Sequence, residues 1–319
     1  MKKSILFFLF NIYYLGLFSQ STDSLNLEFI ERYKENRALS YTSPLSEIGA
    51  PSKYMLSGKL TTTYILLASK SLPIAFAIIP DFTVRARDEK SAGVRTPSFR
   101  LGGATYIRLN KDLNNYKYAE LAFTHHSNGQ DAEAINTDGT INTYNGNFST
   151  NYLMAAYSFG KVNNCRERQN LHSFNHQIGL EWHKWFAYEK ALENNYGFTR
   201  LLYNFSLRKY AFYNAKEHKK WKKGNTTAET KQLEKEFLRL NTDISYAVNI
   251  IRNSKITDLK KRLNIELTAN YSLPFMQNVF LMATAGYYGE DPYNIYFSDH
   301  YGFLRFGIST GFIRYKVKR

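Results

Sequence analysis

The chain has 319 residues, a formal net charge of +15, one cysteine (Cys165), and 25 Tyr and 23 Phe against 3 Trp. A lone cysteine excludes an internal disulfide framework. A mean hydropathy of −0.44, with no helix-length apolar stretch beyond the N-terminus, excludes a bundle of membrane helices.

The first element is a leader. Met1-Lys2-Lys3 is a short basic region, Ile5 to Phe18 is apolar apart from Asn11 and Gly16, and Ser19-Gln20-Ser21 suits a cleavage site. Residues 1–21 therefore read as a Sec signal peptide, leaving 22–319 as one domain. No cysteine stands near the cleavage region, which argues against a lipoprotein anchor. For an exported chain, the basic excess fits attraction to acidic lipid headgroups better than nucleic acid, and no nucleic-acid partner is expected.

Beyond the leader, apolar and polar residues alternate along most of the chain. A short strand over 36–44, where Leu39 and Tyr41 alternate with Ala38, Ser40 and Thr42, is added to the eleven that follow because single-chain bacterial barrels have an even strand number. Longer ones follow near 54–69, 71–86, 97–108, 116–127, 147–160 and 171–186. The rest fall near 198–212, 237–252, 259–273, 278–289 and 301–317. In one, Leu263, Ile265, Leu267, Ala269 and Tyr271 alternate with Arg262, Asn264, Glu266, Thr268 and Asn270. Such runs reach the roughly 9–11 residues of a tilted transmembrane strand, whereas sandwich strands average about five or six. Abundant aromatics without a hydrophobic run also suit a barrel, because lipid-facing and lumen-facing residues cancel in any window. The expected fold is all-β, a twelve-stranded antiparallel transmembrane β-barrel in the outer membrane of a Gram-negative bacterium. With both termini periplasmic, the loop 128–146 is extracellular. The same parity puts the basic run Lys216 to Lys223 on the periplasmic side, as an unusually long connection.

The strand over 116–127 carries the chemistry. Lys117, Ala119, Leu121, Phe123, His125 and Ser127 share one face, while Tyr118, Glu120, Ala122, Thr124 and His126 share the other. His125 and Ser127 thus stand on the apolar face, which a membrane barrel turns to lipid. In the next strand Asn151 shares its face with Leu153, Ala155, Tyr157 and Phe159. Across neighbouring strands the three side chains can meet. Ser127 would be the nucleophile, His125 its base, and Asn151 the acceptor that fixes the imidazole tautomer. An Asn does this without burying a negative charge, and three polar groups on a lipid face are costly unless they bond to one another. Two other readings remain open: a non-catalytic transport barrel, in which His125 and Ser127 should face the lumen, and an acyl-ester hydrolase acting on lipid A.

At these residues the sequence resembles the outer membrane phospholipase A family, whose His-x-Ser-Asn-Gly motif matches His125-His126-Ser127-Asn128-Gly129 and whose Asn partner matches Asn151. Glu35 to Thr42 resembles the family's first strand, and Thr96-Pro97-Ser98-Phe99-Arg100 is similar more weakly. The resemblance implies cleavage of acyl esters of membrane glycerophospholipids, calcium (Ca2+) as cofactor and a homodimer as the active form. It also implies that Gly129 gives a backbone N–H to the oxyanion, and that the Gln130 carbonyl and the Ser149 hydroxyl bind calcium. The chain departs from the family in the length of 128–150 and in having Gln130 where a basic residue is common. Asn147 is therefore kept as an alternative third member of the triad.

Overall fold

Twelve strands close into an antiparallel barrel in a computed structural model. It describes residues 24–69, 72–88, 93–94, 97–165, 170–184, 187–215, 231–273, 275–276, 279–292, 296–312 and 315–318. The leader over 1–21, Thr96 and Lys216 to Lys223 lie outside the described residues.

The wall starts with β1 (Ser40–Pro44), β2 (Tyr54–Thr61), β3 (Tyr64–Ala68), β4 (Ile74–Arg87), β5 (Ser98–Arg108) and β6 (Lys117–Ser127). It continues with β7 (Ser149–Cys165), β8 (Asn170–Trp182), β9 (Thr199–Ala215) and β10 (Lys231–Ala247). The last members are β11 (Leu263–Tyr271), β12 (Phe280–Tyr288) and β13 (Tyr301–Thr310). Strands successive in sequence pair antiparallel, β2 and β3 lie end to end against β4 and count as one of the twelve, and β1 on β13 closes the ring. The alternation read from the sequence sorts residues to the two faces. Glu120 is 1% exposed and Leu121 beside it 52%, so the apolar set forms the outer belt and the polar set lines the lumen.

Several expected boundaries need correction; the strand expected over 259–273 starts at Leu263, Leu259–Arg262 being helical, and the one expected to run to 186 ends at Trp182. The segment 54–69 is not one strand, because the ladder breaks at Thr62-Thr63. Opposite the gap stand Ile79 and Pro80 of β4, and Pro80 has no N–H with which to complete the pairing. The strand expected to run to 252 stops at Ala247, where the Arg262 guanidinium takes the Ala247 and Asn249 carbonyls at 2.9 and 2.8 Å. Val248 and Ile250 are therefore loop residues, Ile250 being 82% exposed. The strand expected over 301–317 ends at Thr310, and β14 (Tyr315–Lys318) lies instead on β10, from Gln232 to Lys235.

That last pairing lies on a part of β10 that outreaches β11. β7, β9 and β10 have 17 residues each, whereas β5 and β6 have 11. The surplus projects past the ring at the end where β6 begins, and β14 covers the edge of β10 that β11 leaves unpaired there.

A helix not anticipated from the sequence, α1 (Ser24–Glu35), plugs the same end. Asn26 Nδ2 donates to the Ser69 and Leu72 carbonyls in the turn before β4, and Tyr33 stacks on Tyr106 at 4.6 Å. Just past the helix, Asn36 bonds to Tyr118, Asn175 and Arg208. Its period was legible, since Leu25, Phe29 and Tyr33 recur every four residues. The lumen above is crossed by ion pairs: Arg37 to Glu120 at 2.8 Å, Arg85 to Glu47 and Asp291 at 3.1 and 3.0 Å, and Arg200 to Glu181 and Glu290 at 3.1 and 2.9 Å. A cavity of about 290 Å³ lies beside the Arg37–Glu120 pair. A filled, plugged interior does not suit an open channel.

Candidate active site on the outer wall

β6 ends at Ser127, at the rim opposite α1, and its register with β7 places the motif. His125 is the direct partner of Asn151, and Ser127 of Ser149. On the other side His125 faces Leu101 and Ser127 faces Phe99. His125 is exposed on the outer wall above Leu121 and Phe123, and Asn151 and Ser127 are half-buried beside it. The orientation expected of a channel, with these residues in the lumen, is not what the register gives.

His125 Nδ1 and Asn151 Oδ1 are 2.9 Å apart. Asn151 Nδ2 donates to the Ala187 carbonyl at 2.5 Å, so the amide oxygen is the atom turned to the imidazole. An amide oxygen only accepts, and His125 must therefore carry its proton on Nδ1, leaving the Nε2 lone pair free. Ser127 lies two residues along the same face, a Cα separation of roughly 7 Å at strand rise. Among the described residues its hydroxyl makes no hydrogen bond. The His–Asn half of the triad is thus assembled and the Ser–His half is open, a contact that in enzymes commonly tightens with substrate bound.

The rest of the motif holds the loop. Asn128 is fully buried; its Nδ2 donates to the Gly146 carbonyl at 2.8 Å, and its Oδ1 accepts from the N–H groups of Phe148 and Gln130 at 3.1 and 3.3 Å. It thereby staples the two ends of the 128–146 loop. Gly129 has φ +64°, and a Cβ there would meet Phe99 Cε2 at 2.7 Å, so both the backbone conformation and the close approach require glycine. Its N–H donates to nothing among the described residues. His126 points inward, 1% exposed, with Nε2 2.8 Å from Ser98 Oγ.

Of the remaining expected site residues, Ser149 sits beside Ser127 in register, and Gln130 follows the Asn128 staple. Neither the Ser149 hydroxyl nor the Gln130 carbonyl has a hydrogen-bond partner among the described residues. Asn147 is exposed, and its backbone N–H donates to the Ala132 carbonyl at 2.9 Å. It lies outside the register pair with His125, so the geometry favours Asn151 as the third member. Two contributors escaped the sequence reading. The Asn-Gly pair at 128–129 carried a turn signal that could have marked the staple, whereas nothing in the sequence marked the Ala187 carbonyl.

Comparisons with known proteins bear on the fold. No protein-family model matches the chain, and no curated protein matches it by sequence. Among solved structures, outer membrane phospholipase A from Escherichia coli is similar with a TM-score of 0.51 at 11% identity, over 86% of this chain and 90% of that one. The β domain of the Bordetella autotransporter BrkA covers 86% of this chain and 97% of its own at 12% identity, with a TM-score of 0.38. The first likeness establishes the outer-membrane type of barrel; at that identity it speaks for the fold alone.

Proposed function

We propose that this protein is an outer-membrane phospholipase that hydrolyses acyl esters of glycerophospholipids from the outer face of its barrel. The observation that carries the reading is the His125–Asn151 pair at 2.9 Å on the outer wall, with Ser127 on the same face. A polar pair at this place is costly in lipid unless its members bond to one another.

In the proposed mechanism, Ser127 Oγ attacks the ester carbonyl while His125 Nε2 takes the hydroxyl proton. Asn151 keeps the other imidazole nitrogen protonated and steadies the charge that develops. The Gly129 N–H donates to the oxyanion. The leaving alcohol receives the proton from His125, and water, activated by the same imidazole, frees the acyl chain from Ser127.

Calcium belongs to this proposal. The Gln130 carbonyl and the Ser149 hydroxyl, both unengaged, fit a hard cation as two neutral oxygen ligands. Calcium takes six to eight oxygens, and among the described residues no three His, Cys, Asp or Glu stand together. The others would come from water, lipid and a second barrel. When bound, the cation acts as a Lewis acid at the oxyanion. A single outer wall offers no cleft for acyl chains, and pairing two barrels along their apolar faces would create one. We therefore include a calcium-stabilised homodimer as the active form, in the outer membrane of a Gram-negative cell after removal of residues 1–21.

The test is covalent labelling. A long-chain alkylsulfonyl fluoride should add once, at Ser127, with the adduct located by peptide mass spectrometry. Labelling elsewhere, or none in a folded barrel, would overturn the assignment. A lipid A acyl esterase would use the same triad, and comparing phospholipid and lipid A products from one sample separates the two substrates.

A further inference from the structure

The ladder between β7 and β8 ends at the pair Leu153–Trp182. Among the described residues, 149–151, which carry Asn151, have β6 on one side and no ladder partner on the other. Strand ends without ladder partners fray at low cost, and a triad member on such an end needs another source of rigidity. The connection from β8 to β9 supplies it, taking hold of three consecutive residues. The Glu189 N–H donates to the Ser149 carbonyl at 3.0 Å. Thr150 Oγ1 lies 3.0 Å from His183 Nδ1, both side chains being fully buried on the lumen side. Asn151 Nδ2 reaches the Ala187 carbonyl at 2.5 Å on the outside.

The inner contact is itself anchored. His183 Nε2 is 2.5 Å from Glu181 Oε1, a carboxylate that also accepts from Arg200 at 3.1 Å. Facing a carboxylate, Nε2 carries the proton, and in the neutral ring the Thr150 hydroxyl then donates to Nδ1. Arg200 is tied in turn to Glu290 at 2.9 Å, and the His183 N–H to the Phe198 carbonyl at 2.8 Å. The outer contact rests on a small apolar core of Phe148, Leu192, Tyr196, Phe198 and Phe297, which joins three loops at this rim.

We propose that the β8–β9 connection is the positioning element of the triad, and that Thr150, clasped by His183, is a positioning residue that acts on catalysis through Asn151. The proposal rests on the phospholipase reading, and its test is read in two ways so that the two can fail separately.

Thr150→Val keeps the shape and removes the hydroxyl, while Thr150→Ser restores it. With folding checked by heat-modifiable migration, Thr150→Val should lower kcat roughly tenfold or more, with KM within about twofold and recovery in Thr150→Ser, since small misplacements of catalytic groups cost that much. In an Asn151→Ala background the same change should have almost no effect, because the residue it acts through is gone. An equal loss in both backgrounds, or none in either, overturns the proposal. The second readout needs no turnover. The His125 Nδ1 proton, followed by NMR in detergent micelles, should exchange slowly in the wild type and in Thr150→Ser, and rapidly in Thr150→Val. Slow exchange retained in Thr150→Val overturns the positioning role. A protected proton that Thr150→Val releases, in a wild type that hydrolyses no lipid, supports the positioning role and removes the phospholipase.

Discussion

Replacing Asn151 by Ala tests the arrangement on the outer wall quantitatively. The change deletes the 2.9 Å bond to His125 Nδ1 and leaves the imidazole in place. In the proposed mechanism that bond acts on an imidazolium in the transition state, where a hydrogen bond to a charged group contributes about 1.5–3 kcal/mol. At about 1.4 kcal/mol per factor of ten, turnover should fall roughly 10- to 150-fold. Asn147→Ala removes an exposed side chain whose backbone contact to Ala132 survives, so it should stay within about twofold of wild type. Asn151→Asp keeps the acceptor but sets a carboxylate against the Ala187 carbonyl, and should recover activity only in part. The assay is the initial rate of fatty-acid release from phospholipid–detergent micelles, on samples whose heat-modifiable migration shows an intact barrel. A larger loss for Asn147→Ala than for Asn151→Ala, or an Asn151→Ala enzyme within twofold of wild type, would refute the reasoning.

Other outcomes follow from the same geometry. Gly129→Ala forces a side chain into φ +64° against the Phe99 ring, so it should displace the start of the loop and lower turnover about 10²-fold or more, the order expected when an oxyanion donor is lost, while the barrel still forms. Chelation should lower activity, readdition of calcium should restore it, and specific activity should rise with protein concentration in detergent. Full activity of a strictly monomeric, chelated sample would remove the cation and the dimer together and leave the triad standing. Arg85→Ala removes the guanidinium shared by the buried Glu47 and Asp291 carboxylates, leaving Glu47 to Arg305 and both to Tyr301, and should cost about 3 kcal/mol in denaturant titrations without moving Ser127.

How much of this was legible depends on which physical rule wrote it into the chain. Alternation with period two is imposed along the whole wall, so face and the outward place of His125 and Ser127 could be read from residues such as Glu120 and Leu121, while the twelfth strand needed the even-number rule. Register is imposed too, because Asn151 can share an apolar face with Leu153 and Tyr157 only in one phase. Interruptions are set by a partner strand: Pro80 breaks the ladder at Thr62-Thr63 from across the sheet, and no local signal at those threonines announces it. The end of β10 is likewise set from outside, by Arg262 capturing two carbonyls. α1 was legible from its period but hidden behind the leader. The Asn151 side-chain amide donates to the Ala187 carbonyl across 36 residues of sequence, and a backbone carbonyl leaves no trace in composition.

The central claim is that Ser127 on the outer wall cleaves lipid esters, and one comparison tests it most directly. Wild type, Ser127→Ala and His126→Ala are purified as folded barrels and given the same dispersed phospholipid with calcium, with free fatty acid measured over time. The account predicts release by the wild type, a fall of about 10³-fold or more in Ser127→Ala, and near-normal release by His126→Ala, whose ring faces the lumen against Ser98. Hydrolysis by Ser127→Ala at a rate within a few-fold of wild type would contradict it.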